Sequence, residues 1–199
     1  MKSEEVISAE EIKKTLEISR RICYNRRMKY DYVTLYNKNA NFYNAHPLAK
    51  RALKLGNLLL PWLFVACYGV LLAYACFIEP FETMDLIKTL FVPLLTLLTV
   101  SVMRVAIARP RPYTDAGAGI VPIVEKKKAD EKSFPSRHLA CAAVIAMTFL
   151  HFYPMVGIAL LGLSVLLGYI RFATGLHYPS DLLAGTGLGI FLGCFMFLL

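Results

Sequence analysis

The chain has 199 residues, of which 57% are hydrophobic and 18% charged, with a formal net charge of +8. An ordinary soluble domain carries roughly 45–50% apolar residues and about a quarter charged ones, so this balance argues against one. Lys and Arg crowd residues 1–57 and 104–137, the distribution expected of a small polytopic membrane protein with one basic face.

Residues 1–57 read as a basic arm. No apolar core of a cleavable signal occurs in the first thirty residues, so the first span is expected to serve as its own insertion signal. Ser8 and Glu11 have capping-box spacing, which predicts a helix from about Ala9. Ile12, Leu16 and Cys23 would share one face of it, and Arg20, Arg21, Arg26, Arg27 and Lys29 make its second half basic. Tyr30, Tyr32, Tyr36, Phe42 and Tyr43 follow. Basic residues beside aromatics suit the headgroup zone, so the arm is expected to lie on an anionic membrane surface. A solvated helix and loop is the alternative.

Five apolar spans come next: roughly Leu58–Ile78, Thr89–Ala108, Ser136–Tyr153, Pro154–Ile170 and Leu182–Leu199. Each is near the ~17–25 residues that cross a hydrocarbon layer, although the short third and fourth could form a re-entrant pair. The expected fold is therefore all-α, a membrane bundle of about five helices over 58–199 with the arm beside it. Alternation across the bilayer puts the end of span two, the start of span three, the turn between spans four and five, and the arm on one side. Every unusual polar residue gathers there. In the last span Gly185, Gly189 and Gly193 recur every four residues, a spacing that lets helices approach closely. Internal packing is the favoured use, and a homodimer seam the other.

Cys23, Cys67, Cys76, Cys141 and Cys194 include no C-x-x-C pair and read as small packing residues. Zinc spacing is absent, as is an acidic cluster suited to magnesium. No metal, cofactor or nucleic-acid partner is expected.

Three segments on the polar side carry chemistry. Arg104 lies within a span, where a charge is costly and points to function. Arg109-Pro110-Arg111-Pro112 then ends the helix. Guanidinium forks suit phosphate oxygens, whereas interfacial anchoring accounts well for Arg109 and poorly for Arg104. Pro135-Ser136-Arg137-His138 reads as a helix start whose unpaired amides attract anions, with a hydroxyl and an imidazole in the first turn. In the third segment, Arg171 precedes His177, and Asp181 stands four residues beyond with Pro179 between them. A helix beginning at Tyr178 would bring the Asp181 carboxylate to the His177 imidazole, fixing its tautomer and leaving the other nitrogen free to attack.

Together these segments resemble the three motifs of the type-2 phosphatidic acid phosphatase superfamily, which also contains vanadium haloperoxidases. Its Lys-x6-Arg-Pro corresponds to Arg104-x6-Arg111-Pro112, its Pro-Ser-Gly-His to Pro135-Ser136-Arg137-His138, and its Ser-Arg-x5-His-x3-Asp to Ile170-Arg171-x5-His177-x3-Asp181. The resemblance covers roughly residues 55–199. Arg104 in place of Lys keeps the charge. Arg137 in place of Gly narrows the pocket or meets a second phosphate, and Ile170 in place of Ser removes one phosphate hydrogen bond. The resemblance implies a metal-independent membrane lipid phosphatase in which His177 becomes a phosphohistidine, Asp181 holds it and His138 protonates the leaving oxygen. Arg104, Arg111, Ser136, Arg137 and Arg171 would bind the phosphate.

The implied substrate is a membrane lipid phosphate whose tail enters sideways. Undecaprenyl pyrophosphate, phosphatidic acid and phosphatidylglycerol phosphate are candidates, the first favoured because the layout is similar to small bacterial undecaprenyl pyrophosphate phosphatases. A lipid phosphotransferase sharing the phosphohistidine, a haloperoxidase and a non-enzymatic lipid-binding protein are the rivals. Five spans argue against the haloperoxidase. The implied setting is a bacterial plasma membrane. Lys50, Arg51, Lys54, Arg109, Lys126, Lys127, Lys128 and Lys132 flank the spans on the active side against Lys88 alone on the other, a bias that favours a cytoplasmic site.

Overall fold

A computed structural model describes residues 31–78, 81–115, 119–124 and 132–198. The expected helix start near Ala9, the basic run from Arg20 to Lys29 and most of the charged Glu125–Lys132 loop lie outside these residues.

Among the described residues there are helices and no strand. Residues 31–45 form α1, followed by α2 Pro47–Phe77, α3 Thr83–Ile107, α4 Arg137–Phe152, α5 Pro154–Ala173, α6 Pro179–Gly193 and the short α7 Phe195–Leu198. Four helical stretches are long and apolar enough to cross a membrane: α2, α3, α5 and the continuous run of α6 and α7. The fifth apolar helix, α4, has 16 residues and is about 24 Å long at 1.5 Å per residue. It is the axis of the bundle, packed by α2, α3, α5, α6 and α7. Leu139, Ala140 and the whole run from Ala142 to Phe149 are buried, so α4 is covered on every side, which makes a helix apolar all round the stable choice there. Its short side chains let the neighbours come close. A Cβ on Gly185 would stand 2.5 Å from the Ser136 carbonyl oxygen, one on Gly189 2.4 Å from that of Ala140, and one on Gly193 2.5 Å from Met147 Cβ. The glycine row of α6 is therefore spent on α4, inside one chain, and the basis for a homodimer seam is gone.

The first span starts earlier than its apolar stretch. Pro47 occupies the first turn of α2, where its fixed φ suits a helix start. At 31 residues, α2 is about 46 Å long, against ~30 Å of hydrocarbon, so the turns bearing Lys50, Arg51 and Lys54 stand clear of the bilayer core. α2 runs unbroken across residue 57, the expected boundary between arm and bundle.

α3 stops at Ala108, whose φ of 46° is left-handed. That conformation costs an alanine roughly 1–2 kcal/mol, and it turns the chain out of the helix immediately before Arg109-Pro110. At the other end of the bundle Tyr153 is at once the C-cap of α4 and the N-cap of α5. Gly157 presses on the Leu150 backbone there, which explains a reversal with almost no loop.

The arm differs from expectation where it is described. Tyr32, Tyr36 and Tyr43 were expected at the lipid surface, yet all three are buried. Their spacing puts them on one face of α1, and that face packs on the protein. Tyr32 packs against Tyr178 with ring centroids 4.9 Å apart and the planes tilted by 56°, and meets Phe172 edge-on. Tyr43 joins Leu53, Ile123, Ile170 and Ala173 in a small core. Phe42 alone of the described aromatics in this stretch is exposed.

Candidate active site

The three polar segments converge where α3 ends, α4 begins and α5 turns into α6. The turn is shaped from its sequence. Thr174 caps α5 by donating its hydroxyl to the Ile170 carbonyl at 2.8 Å. Gly175 follows with φ +76°, and a Cβ there would lie 2.9 Å from the Tyr36 ring, so the position demands glycine twice over. Pro179 and Asp181 then start α6, with the Asp181 carboxylate accepting the Tyr178 N–H at 2.9 Å. An acid in the first turn both caps the helix and suits its positive end.

That cap carries His177 with it. His177 is 1% exposed and Asp181 0%, and His177 Nδ1 lies 3.7 Å from Asp181 Oδ2, beyond a direct hydrogen bond. Ser133 fills the gap. Its hydroxyl donates to Asp181 Oδ2 and lies 3.4 Å from His177 Nδ1. Having spent its proton on the carboxylate, Ser133 Oγ can only accept from the imidazole, which places the ring proton on Nδ1 and leaves the lone pair on Nε2. Tyr32 donates to the His177 carbonyl at 3.4 Å, and Tyr36 donates to that of Val121 at 2.7 Å, so α1 braces the turn from below.

Arg109 was read from sequence as an interfacial anchor. Instead its guanidinium lies over the Tyr178 ring at 4.3 Å and donates to Ser180 Oγ at 2.8 Å and Asp181 Oδ1 at 2.9 Å. Asp181 thus has a donor on each oxygen and is shielded from solvent, an arrangement that fixes the carboxylate's orientation.

Arg104 was expected to bind phosphate. Its guanidinium donates to the carbonyls of Pro135 at 3.1 Å, Ser133 at 3.4 Å and Lys132, and it does not line the cavity described below. A charge inside a span needs partners, and the loop carbonyls ahead of α4 supply them. Arg104 therefore shapes the loop that presents Ser133 and Ser136. Ile170 is accounted for by packing: it is buried against Tyr43 and Leu53, and Gly56 leaves room for its Cδ1.

Arg111, Arg137, His138 and Arg171 line a cavity of about 870 Å³; Ser136, His177 and Asp181 stand behind its wall and, like Arg104, do not line it. Its polar end is lined by Lys54, Asn57, Arg111, Arg137, His138 and Arg171, its apolar end by Pro61, Trp62, Val65, Leu97, Ile145 and Leu167. Arg111 donates to the Leu176 carbonyl at 3.2 Å, one residue before His177. His138, in the first turn of α4, has Arg171, His177, Arg137 and Arg111 as its charged or titratable neighbours. Ser136, the N-cap of α4, donates its N–H to the Asp181 carbonyl at 2.9 Å. Its Oγ is buried without a hydrogen bond, as is Arg171 Nε. Each such orphan costs about 1–3 kcal/mol unless a ligand or water satisfies it, and both are donors in a ring of cations, the pattern of an anion site. α2 and α3 wall this cavity and α4 floors it. Trp62 and Val65 of α2 and Leu97 of α3 line the cavity and are also exposed on the outside of the bundle, so the cavity opens sideways between these helices.

The model of the PAP2 superfamily matches residues 85–199, a stretch that holds all three segments. The chain belongs to the PAP2 superfamily. Lipid A 1-phosphatases are similar to it in sequence: that of Rhizobium johnstonii is 32% identical over 94 residues, covering 46% of this chain and 38% of the relative. That of Rhizobium etli is 34% identical over 58 residues, covering 29% and 25%. The match therefore spans well under half of the length of either curated relative. Among solved structures, Aquifex aeolicus LpxE superposes with a TM-score of 0.63 at 22% identity, over 83% of this chain and 94% of LpxE. A transmembrane PAP2-type phosphatidylglycerolphosphate phosphatase from Bacillus subtilis gives 0.50 at 25% identity, over 84% and 93%. The PAP2 helical architecture and its place in a membrane are thus shared.

Within this PAP2 site, sequence reasoning missed Ser133 and the role of Arg109. Ser133 has no local signal, being a serine in a charged loop that only folding brings to Asp181. Arg109 did carry one, the doubled Arg-Pro of 109–112, which anchoring explained too readily.

Proposed function

We propose that this PAP2 protein is a membrane lipid phosphatase that hydrolyses a lipid phosphate or pyrophosphate through a phosphohistidine on His177, without a metal. The observation that carries the reading is the buried Ser133–His177–Asp181 relay set beside a cation-lined cavity, with one unsatisfied donor on Arg171 in the cavity wall and another on Ser136 next to Arg137. His177 Nε2 attacks the phosphorus, and His138 gives a proton to the leaving oxygen. Water, deprotonated by His138, then breaks the P–N bond, releasing phosphate and restoring both imidazoles. Arg111, Arg171, Ser136 and the first amides of α4 carry the phosphoryl charge, with Arg137 at the cavity wall. Phosphoryl transfer asks for positioning and charge stabilisation above all, and guanidiniums provide both. Among the described residues no three His, Cys, Asp or Glu side chains come together as a metal site.

The test is phosphate release from phosphatidic acid, phosphatidylglycerol phosphate and undecaprenyl pyrophosphate in detergent, with and without EDTA. The expected result is release from at least one lipid at a rate EDTA leaves within about twofold; a metal that lowered the barrier would supply several kcal/mol and its loss would be far larger. Release that EDTA abolishes contradicts metal independence. Transfer to an added alcohol in place of water would favour a phosphotransferase. The charge bias flanking the spans supports a cytoplasmic site.

The pH profile follows from His177, which lies in the turn outside the helices. Burial holds its pKa down to about 4 from 6.5; the Asp181 contact pulls it up, while Arg111 and Arg171 push it down further. The attacking form is the neutral ring. The acid limb of kcat/KM from this group is therefore expected below pH 5, after allowance for the substrate's own ionisation near about 6. The sign carries over to stability. Between pH 4 and 6.5 the unfolded histidine binds a proton that the folded one refuses, so stability is full above that window and falls as pH drops through it.

A further inference from the structure

Asn57 is a polar group that the chemistry above leaves unused. It stands on α2 at the head of the apolar stretch, at headgroup depth, and lines the polar end of the cavity with Arg111, Arg137 and Arg171. Its Oδ1 is buried and accepts no hydrogen bond. The backbone that carries it is held in place: a Cβ on the preceding Gly56 would lie 2.8 Å from Ile170 Cδ1, so α2 sits tight on α5 one residue before Arg171. Surrounding cations favour the orientation with Oδ1 inward.

The two other unsatisfied atoms at this site, Ser136 Oγ and Arg171 Nε, donate and so suit phosphoryl oxygens. Asn57 Oδ1 is an acceptor, and a phosphate dianion offers it nothing. It needs a donor on the ligand, and an amide beside the phosphate pocket at headgroup depth meets the alcohol portion of the substrate. We propose that Asn57 is a specificity residue that reads a hydroxyl on the carbon skeleton next to the phosphate ester. The site then selects polyol or sugar phosphate lipids over phosphatidic acid and prenyl phosphates, which carry no donor at that place. This deepens, and rests on, the lipid phosphatase reading.

The experiment compares kcat/KM for phosphatidylglycerol phosphate, whose phosphate neighbours a free hydroxyl, with that for phosphatidic acid of matched acyl chains in the same detergent. Wild type is expected to prefer the former by roughly tenfold or more, the discrimination one ordinary hydrogen bond provides, and Asn57→Leu to bring the ratio to within about twofold of unity. A wild-type ratio near unity, or a ratio that Asn57→Leu leaves at its wild-type value, overturns the proposal while the phosphatase reading stands. Should Asn57→Leu be inactive on both lipids, Asn57→Ala, which removes the amide without adding bulk, is measured in its place; loss on both there assigns Asn57 to folding and overturns the proposal. Absence of release from either lipid by wild type overturns the phosphatase reading and this inference together.

Discussion

His177→Ala is expected to lower phosphate release by at least about 10⁴-fold, the scale on which removing a nucleophile acts elsewhere. The imidazole is inside the protein, 1% exposed, with Nδ1 facing Ser133 and Asp181, and its removal leaves these two partners with no nucleophile to orient. The same variant gives a second readout. Wild type quenched during turnover of a ³²P-labelled lipid phosphate should carry a label stable to alkali and lost in acid, as a phosphoramidate is, and His177→Ala should carry none. Undiminished release by the variant, or a label that persists in it, would remove His177 from the reaction. A shell of protein surrounds this side chain, so the variant's melting temperature in detergent must be read alongside to separate chemistry from collapse.

Asp181→Asn is the second large effect, expected at about 10³-fold or more in kcat with a smaller change in KM. The carboxylate accepts from Tyr178 N–H, Ser133 and Arg109. An amide has one acceptor oxygen, so whichever way it turns, an N–H₂ group must face one of these donors. If it faces Ser133, the serine proton turns toward His177, the ring proton moves to Nε2, and the attacking lone pair is lost. The comparison that isolates this tautomer effect is Ser133→Ala, which deletes the bridge but leaves the carboxylate; its loss is expected near tenfold, the worth of one hydrogen bond. Equal losses in the two variants would mean that the bridge, and not the carboxylate, governs the imidazole.

The sequence disclosed the parts of this architecture that depend on local pattern. The five apolar stretches are helical because each is a sustained run with few charges, the last of them divided into α6 and α7. The 177–181 spacing is visible because a proline and an acid write a helix start. What it withheld depends on long-range contact. Tyr32 and Tyr36 sit beside a basic run, and only the packing of α1 beneath the α5–α6 turn shows that they brace a histidine far away in the chain. Arg104 and Arg109 share one sequence signal, arginine near a membrane boundary, yet one grips loop carbonyls and the other a carboxylate. Which of two nearby guanidiniums does which is decided by where α3 ends, and the left-handed Ala108 that ends it has no residue-type signature. Asn57 carries no signal in the sequence, since a cavity wall built from four helices cannot be read from any one of them.

The sideways opening between α2 and α3 fixes what concentration means for this protein. A substrate reaching the site through the wall of the bundle never passes through water, so encounter is a two-dimensional search, and its frequency follows the mole fraction of the phospholipid in the leaflet and not its amount per volume. Diluting the substrate lipid with an inert one at constant total substrate should slow turnover, as though the solvent itself had been changed, whereas adding more vesicles of unchanged composition should not.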